Sequence, residues 1–257
     1  MKINLTNVTL VVVDDLSDLP TENNIRYIIL DRVIKYAKKY IDFFDVKFFS
    51  PLHGFEKTFT NAGDYSKWII KNLPYEIESD YYLIIQWDGF IVNPDMWRNE
   101  FFNYDYIGGG NTLQNGGFSL RKTSTMKKLS NIKYTDYFGN EDSFYSLFFE
   151  DVCKNVHKTD SRFDENFYNE CLENGWIYKD QPFSVYDIHD KNSDCNRFVS
   201  FFTFNPKSFG WHWSGELDIY TSMYFYKKIK MFSLQELKMI DTYLRKRSNR
   251  GISWEEL

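Results

Sequence analysis

Residues 8–13, Val-Thr-Leu-Val-Val-Val, form a nearly unbroken β-branched run that ends on two carboxylates, Asp14 and Asp15. β-Branched side chains favour extended backbone, and a run without polar alternation must be covered on both faces. Such a segment belongs in the middle of a parallel sheet with helices on either side. The run comes after a single lysine near the N-terminus, as in a secretory leader. It is short, contains Thr9, ends in acids and lacks a small-residue cleavage site, so it reads as a strand.

Beyond Asp15 the hydrophobic pattern alternates between helical and strand periods. Apolar residues recur at helical spacing over 24–40 (Ile25, Ile28, Ile29, Val33, Ile34, Ala37). A second strand is predicted over 45–49, a helix over 64–72 and a third strand over 81–86, closing on Trp87-Asp88-Gly89. This order predicts an α/β fold with a mixed, mostly parallel sheet flanked by helices. Ligands of such sheets bind beyond the carboxyl ends of the strands, where Asp14-Asp15 and Asp88 stand. The elements then shorten: a turn at Asn93-Pro94 into a short helix, strands at 104–107 and 118–121, a helix over 124–129 and another over 141–155. Short strands are predicted at 183–186 and 201–204, and the Asn- and Asp-rich stretch 187–197 reads as a mobile loop. Helices over 221–230 and 233–247 close the chain.

A length of 257 residues fits one large domain with or without appendages, and a net charge of −5 argues against nucleic acid as a partner. Cys153, Cys171 and Cys195 are odd in number and widely spaced, which disfavours a disulfide framework or zinc ribbon and points to a reducing, cytoplasmic setting. No run approaches the roughly 20 apolar residues that span a bilayer. Aromatic residues make up 19% of the chain. They suit either sugar platforms or simple compositional bias, and composition alone favours the second. Lys227, Lys228, Lys230, Lys238, Arg245, Lys246, Arg247 and Arg250 make the C-terminus basic. A solvated helix face is the preferred reading, with weak peripheral contact to an anionic membrane as the alternative.

Four constellations could carry chemistry. In Gln86-Trp87-Asp88, a carboxylate at a strand end beside Gly89 suits a divalent ion (Mn²⁺ or Mg²⁺) that bridges phosphates, or else simply a turn. In Asn115-Gly116-Gly117-Phe118-Ser119-Leu120-Arg121, paired glycines allow close backbone approach, as a platform beneath a sugar or as an ordinary hairpin. In Asn140-Glu141-Asp142, two acids open a helix, as dipole-stabilising caps or as a general base with a partner. Asp142 is favoured as the base and Glu141 as an acceptor-positioning or structural group. In Phe209-Gly210-Trp211-His212-Trp213, a histidine lies between two tryptophans, as a metal or phosphate ligand or as part of an aromatic core. Nucleotide fingerprints, serine-hydrolase elbows and zincin motifs are missing.

These pieces, in this order and together with Trp97 and Tyr104-Asp105-Tyr106-Ile107-Gly108-Gly109, resemble a glycosyltransferase-like family of unknown function with a GT-A fold, over roughly residues 7–213. The order is also similar to that of metal-dependent galactosyltransferases of the same fold. The resemblance implies a GT-A-like domain over 1–220, with 221–257 as a basic helical extension packed on it. It implies transfer of a sugar from a nucleotide-diphosphate donor, a UDP-sugar favoured, to a hydroxyl on a glycan or other acceptor, and the Glu141-Asp142 pair points to inversion.

By that likeness Val13, Asp14, Asp15, Gln86, Trp87 and Asp88 border the donor, and Asp88 and His212 hold the metal. Asn115, Gly116, Gly117, Arg121 and Trp211 form the sugar and acceptor platform, and Asp142 with Glu141 is catalytic. Gln86 departs from the pattern, since it stands where those enzymes carry an aspartate and brings no charge. A non-catalytic glycan-binding protein and a nucleotide-sugar hydrolase or phosphotransferase are the other readings.

Overall fold

The computed structural model describes residues 2–14, 25–57, 59, 61–109, 115–131, 140–147, 192–200, 205–212 and 219–248. The first elements are β1 (Ile3–Val13), α1 (Ile25–Tyr40), β2 (Ile41–Phe49), α2 (Ala62–Lys71), β3 (Tyr81–Ile85) and β4 (Gly89–Ile91). Next come β5 (Tyr106–Gly109), β6 (Asn115–Lys122), α3 (Thr123–Leu129) and α4 (Glu141–Leu147). The last are α5 (Asp194–Phe198), β7 (Val199–Ser200), β8 (Gly210–His212), α6 (Ile219–Lys228) and α7 (Leu234–Ser248).

Five strands form the main sheet in the order β2-β1-β3-β6-β5. β1 pairs in parallel with β2 and β3, while β6 is antiparallel to both β3 and β5. Four strands therefore run one way and β6 alone runs back, which is the mixed, mostly parallel α/β sheet that the sequence predicts. The second half of β1 is buried throughout because each face is covered. Leu10 and Val12 face a core that includes Ile29 and Val33 of α1. Val11 and Val13 face the opposite core, with Trp68, Ile69 and Ile70 of α2 and Phe144 of α4. This alternation is the two-residue period of a strand between two helical layers.

Local chemistry sets several element ends. The Asn61 side chain caps α2 by accepting the Asp64 N–H at 2.9 Å. Gln86 and Gly89 exchange backbone hydrogen bonds at 2.7 and 3.2 Å, so Trp87-Asp88 forms the tip of a tight turn from β3 into β4. β4 then pairs with β8, and β8 with β7, in a small second sheet.

Within the stretch expected to be a mobile loop, residues 194–198 instead form α5. The Ser193 hydroxyl caps it at Asn196 N–H (3.3 Å), and Phe198 packs against Phe101, Phe118 and Phe209. The strands expected at 183–186 and 201–204 lie outside the described residues, as does the part of the 141–155 helix beyond Leu147.

The last two helices pack on the α1 side of the sheet through Phe225, Tyr226, Ile240 and Leu244. Tyr226 donates its hydroxyl hydrogen to the Trp87 carbonyl at 3.1 Å, and Arg32 of α1 pairs with Glu236 at 2.8 Å. Some of the C-terminal cations have partners within the protein: Lys228 donates to the Pro206 carbonyl at 2.8 Å and Arg245 pairs with Asp241 at 2.9 Å. Among the described residues no helix is long and apolar enough to cross a membrane.

Candidate active site

The sheet topology gathers the candidate residues at one edge. β1 and β3 end there on Asp14 and Gln86, while β6, running back, begins there with Asn115-Gly116-Gly117. Gly116 and Gly117 are the point of closest approach. A Cβ on Gly116 would collide with Glu141 Oε1, Arg121 Nη2 and Asp142 Oδ1. A Cβ on Gly117 would collide with His212 Nε2 and Gln86 Oε1. At both positions protein side chains occupy the Cβ direction, so any larger residue would displace them. The glycine pair thus brings the Glu141-Asp142 carboxyls to one side of β6 and the Gln86 amide with the His212 imidazole to the next residue along.

The carboxyl side is held from beneath by Arg121. Its side chain is fully buried between the rings of Tyr106 and Tyr145, each centroid 5.0 Å from the guanidinium carbon. Nε donates to Ser119 Oγ at 2.9 Å, and Nη2 stands 3.6 Å from Glu141 Oε1. Ser66 of α2 completes the hold on Glu141: its hydroxyl accepts the Glu141 N–H at 3.1 Å and donates to Oε2 at 3.4 Å.

Asp142 is partly exposed as a residue, but its Oδ1 is enclosed. Burial and the neighbouring Glu141 carboxylate push the Asp142 carboxyl well above the usual range, against the opposing pull of Arg121 and the Gly116 N–H. Glu141 is fixed in place by these contacts, and the Asp142 carboxyl holds its proton above the usual carboxylate range.

Tyr65 links the two sides. Gln86 Nε2 donates to its hydroxyl oxygen at 3.2 Å. Burial, reinforced by Glu141, Asp142 and Asp14, raises the Tyr65 hydroxyl well above its ordinary value, with Arg121 acting the other way. The sequence does not single out Tyr65 and Ser66, because they lie on an ordinary amphipathic helix. Their one signal is position: the start of α2 comes after β2 on the carboxyl edge of the sheet, where sites of this architecture lie.

On the other side, β4–β8 pairing sets Gly89 opposite His212, and a Cβ on Gly89 would strike the imidazole. Asp88 is buried in the turn next to Gly89. Asp14 pairs with Arg26, whose guanidinium lies 5.7 Å from the Trp87 ring centre. Val13 is buried in the core at the end of β1, and Asp15 lies outside the described residues.

Two platform residues are corrected. Trp211 is fully buried: it stacks on Phe225 at 5.4 Å, with Phe90 and Tyr226 against it edge-on, and offers no face to a sugar. Arg121 is equally closed to solvent and serves as a countercharge beneath the acids. Much of the aromatic content is core of this kind. Trp87, 3% exposed, likewise packs edge-on against Tyr243.

Among the described residues, no group of three or more His, Cys, Asp or Glu side chains is arranged to hold a metal ion. His212 and the uncharged Gln86 oxygen converge over Gly117, and Asp88 is in the turn one residue before Gly89.

The chain belongs to the DUF5672 family of proteins of unknown function, whose family model matches residues 49–185. That span includes Gln86, Asp88, Gly116, Gly117, Arg121, Glu141 and Asp142. No curated protein matches the sequence. Among solved structures, the chain is similar to a glycosyltransferase involved in glycosylation of the major capsid of PBCV-1, with 11% identity and a TM-score of 0.41, over 88% of this chain and 99% of that one. It is also similar to the galactosyltransferase LgtC in complex with donor and acceptor sugar analogs, with 10% identity and a TM-score of 0.39, over 96% of this chain and 98% of that one.

Proposed function

We propose that this protein is a glycosyltransferase that moves a sugar from a nucleotide-diphosphate donor, a UDP-sugar favoured, to an acceptor hydroxyl with inversion, on a GT-A-like domain. One observation carries the reading. Two adjacent acids, one fixed by a buried arginine and one with its proton affinity raised, meet the Gln86–His212 pair across Gly116-Gly117 at the ligand-binding edge of an α/β sheet.

In this reading the Asp142 carboxylate takes the proton of the acceptor hydroxyl as the acceptor oxygen bonds to the anomeric carbon. The bond from that carbon to the diphosphate oxygen breaks, and its electron pair leaves with the nucleotide. A base works best with its pKa near the working pH, and burial beside Glu141 moves Asp142 in that direction. Glu141 positions the base and the acceptor.

A divalent ion, Mn²⁺ or Mg²⁺, would be held by Asp88 and His212 with the Gln86 oxygen. When bound, it would offset the charge developing on the diphosphate. One carboxylate, one imidazole and one amide do not complete the shell of a hard cation, so the oxygens of the donor must supply the rest. The ion is therefore expected to bind tightly only together with a nucleotide diphosphate.

Incubation with a panel of nucleotide sugars and acceptors, with and without Mn²⁺, tests this. The expected result is nucleotide diphosphate and a new glycoside in equal amounts. Donor consumed only to free sugar with every acceptor would favour a hydrolase. No donor bound or consumed under any metal condition would overturn the proposal.

A further inference from the structure

A second concentration of charge lies away from Gly116-Gly117. A cavity of about 370 Å³ is lined by Met96, Arg98, Asn192, Arg197, Asn205 and Lys207. Three cations from three separate segments line it, and among the described residues no acid does, in a chain whose net charge is −5. Arg98 lies between the short 3₁₀ turns Pro94–Met96 and Asn99–Asn103, Arg197 is on α5, and Lys207 is in the turn before β8.

The backbone that carries these cations is fixed. Asn205 Oδ1 accepts the Lys207 N–H at 3.0 Å, and Asn205 Nδ2 donates to the Asn196 carbonyl at 3.0 Å. Asn93 Nδ2 donates to the carbonyls of Pro206 (3.0 Å) and Ser208 (2.6 Å), and the Phe209 N–H donates to the Arg197 carbonyl at 2.8 Å. Lys228 adds a fourth cation beside the same turn through its bond to the Pro206 carbonyl.

Among the described residues the countercharge is small. Arg98 has Glu100 at 3.7 Å, an exposed pair of the kind that contributes little. Among the described residues, neither Arg197 nor Lys207 makes an ion pair. Like charges held around one cavity repel one another, and a multiply charged anion with charge-assisted hydrogen bonds relieves that repulsion. The volume falls in the range of small-molecule pockets, roughly 300–1,000 Å³.

We infer that this cavity is a binding site for a compact dianion, a phosphate group either free or carried on a small polar molecule. It lies beyond the Ile91–Gly210 end of the β4–β8 ladder, while Gly89 and His212 are at the other end, about 7 Å along the strands, and none of its described lining residues is among those gathered at Gly116-Gly117. It is therefore separate from the proposed transfer site, and its test does not depend on transfer activity.

The test tracks the Arg Nε–H signals of the full-length protein by NMR as inorganic phosphate is added, with chloride at matched ionic strength as the control. The Arg98 and Arg197 signals should shift to saturation with phosphate and not with chloride. Arg197→Gln and Lys207→Gln should each weaken phosphate binding about tenfold, in line with the loss of one hydrogen bond to a charged group, and leave the melting temperature essentially unchanged. Competition by glucose 6-phosphate would assign a phosphate carried on a sugar. Binding of inorganic phosphate alone would assign the free ion. Shifts that rise without saturation, that chloride reproduces, or that survive both substitutions would overturn the inference.

Discussion

Nη2 of Arg121 stands 3.6 Å from Oε1 of Glu141, with both side chains closed off from solvent. The guanidinium is caged by Tyr106 and Tyr145, and burial pushes the Tyr82 hydroxyl up to about 12, partly offset by the nearby Arg121. Removing one partner of a buried pair strands the other charge, at a cost of about 3–5 kcal/mol. Arg121→Met is therefore expected to lower stability by that order. Arg121→Met combined with Glu141→Gln should lose clearly less than the sum of the single losses. Urea unfolding of the four proteins of this cycle checks it, and strict additivity would show that the pair is not coupled.

Asp142 gives a pH dependence of known sign. Its carboxyl keeps its proton to higher pH in the folded chain than in the unfolded chain, where the value is about 4. Its stabilising contribution is complete below the unfolded value and is lost as pH rises through the folded one. Asp142→Asn removes this loss, so the variant should gain stability over the natural chain at pH 8 and show little gain at pH 4. Thermal melts at the two pH values check it. The same carboxyl should make activity rise with pH, as the base becomes ionised.

Gly117 and Gly210 separate function from packing. A Cβ on Gly117 meets the movable ends of His212 and Gln86, whereas one on Gly210 meets the buried Phe118 ring. Gly210→Ala should cost about 1–3 kcal/mol of stability through overpacking. Gly117→Ala should cost less stability, yet impair donor binding by displacing His212. Paired melting and ligand-binding measurements distinguish the two outcomes.

Trp211 tests the corrected assignment. As a fully buried aromatic, its replacement by alanine should cost about 3–5 kcal/mol, and Trp211→Phe should retain most of the stability. A platform role would instead lower sugar affinity with little change in unfolding.

The long elements are legible because their periods are strong. β1 is buried on alternating faces by two helical layers, and α1 repeats its apolar residues at helical spacing, so both can be read from the sequence. Three-residue strands such as β4 and β8 have no period to read, and their pairing, which sets Gly89 against His212, is a tertiary fact. α5 is hidden in an Asn- and Asp-rich stretch because its order comes from the Ser193 cap and from Phe198 in the core, not from helix propensity.

At the candidate site, Asp88, Gly116-Gly117, Glu141-Asp142 and His212 stand out as residue types, and Gly116-Gly117 are in close contact with Glu141, Asp142 and His212. The sequence could not reveal what each glycine faces, that Arg121 and Trp211 are buried, or that Tyr65 and Ser66 reach in from α2. Gln86, which brings no charge, bonds to Tyr65 through its amide and stands over Gly117 beside His212.

The most direct measurement compares single-turnover sugar transfer by the natural chain and by Asp142→Asn, with donor affinity determined in parallel. The account predicts that Asp142→Asn binds the nucleotide sugar as well as the natural chain does and transfers about 10²–10⁴-fold more slowly, the usual worth of a general base. Transfer undiminished in Asp142→Asn would contradict it.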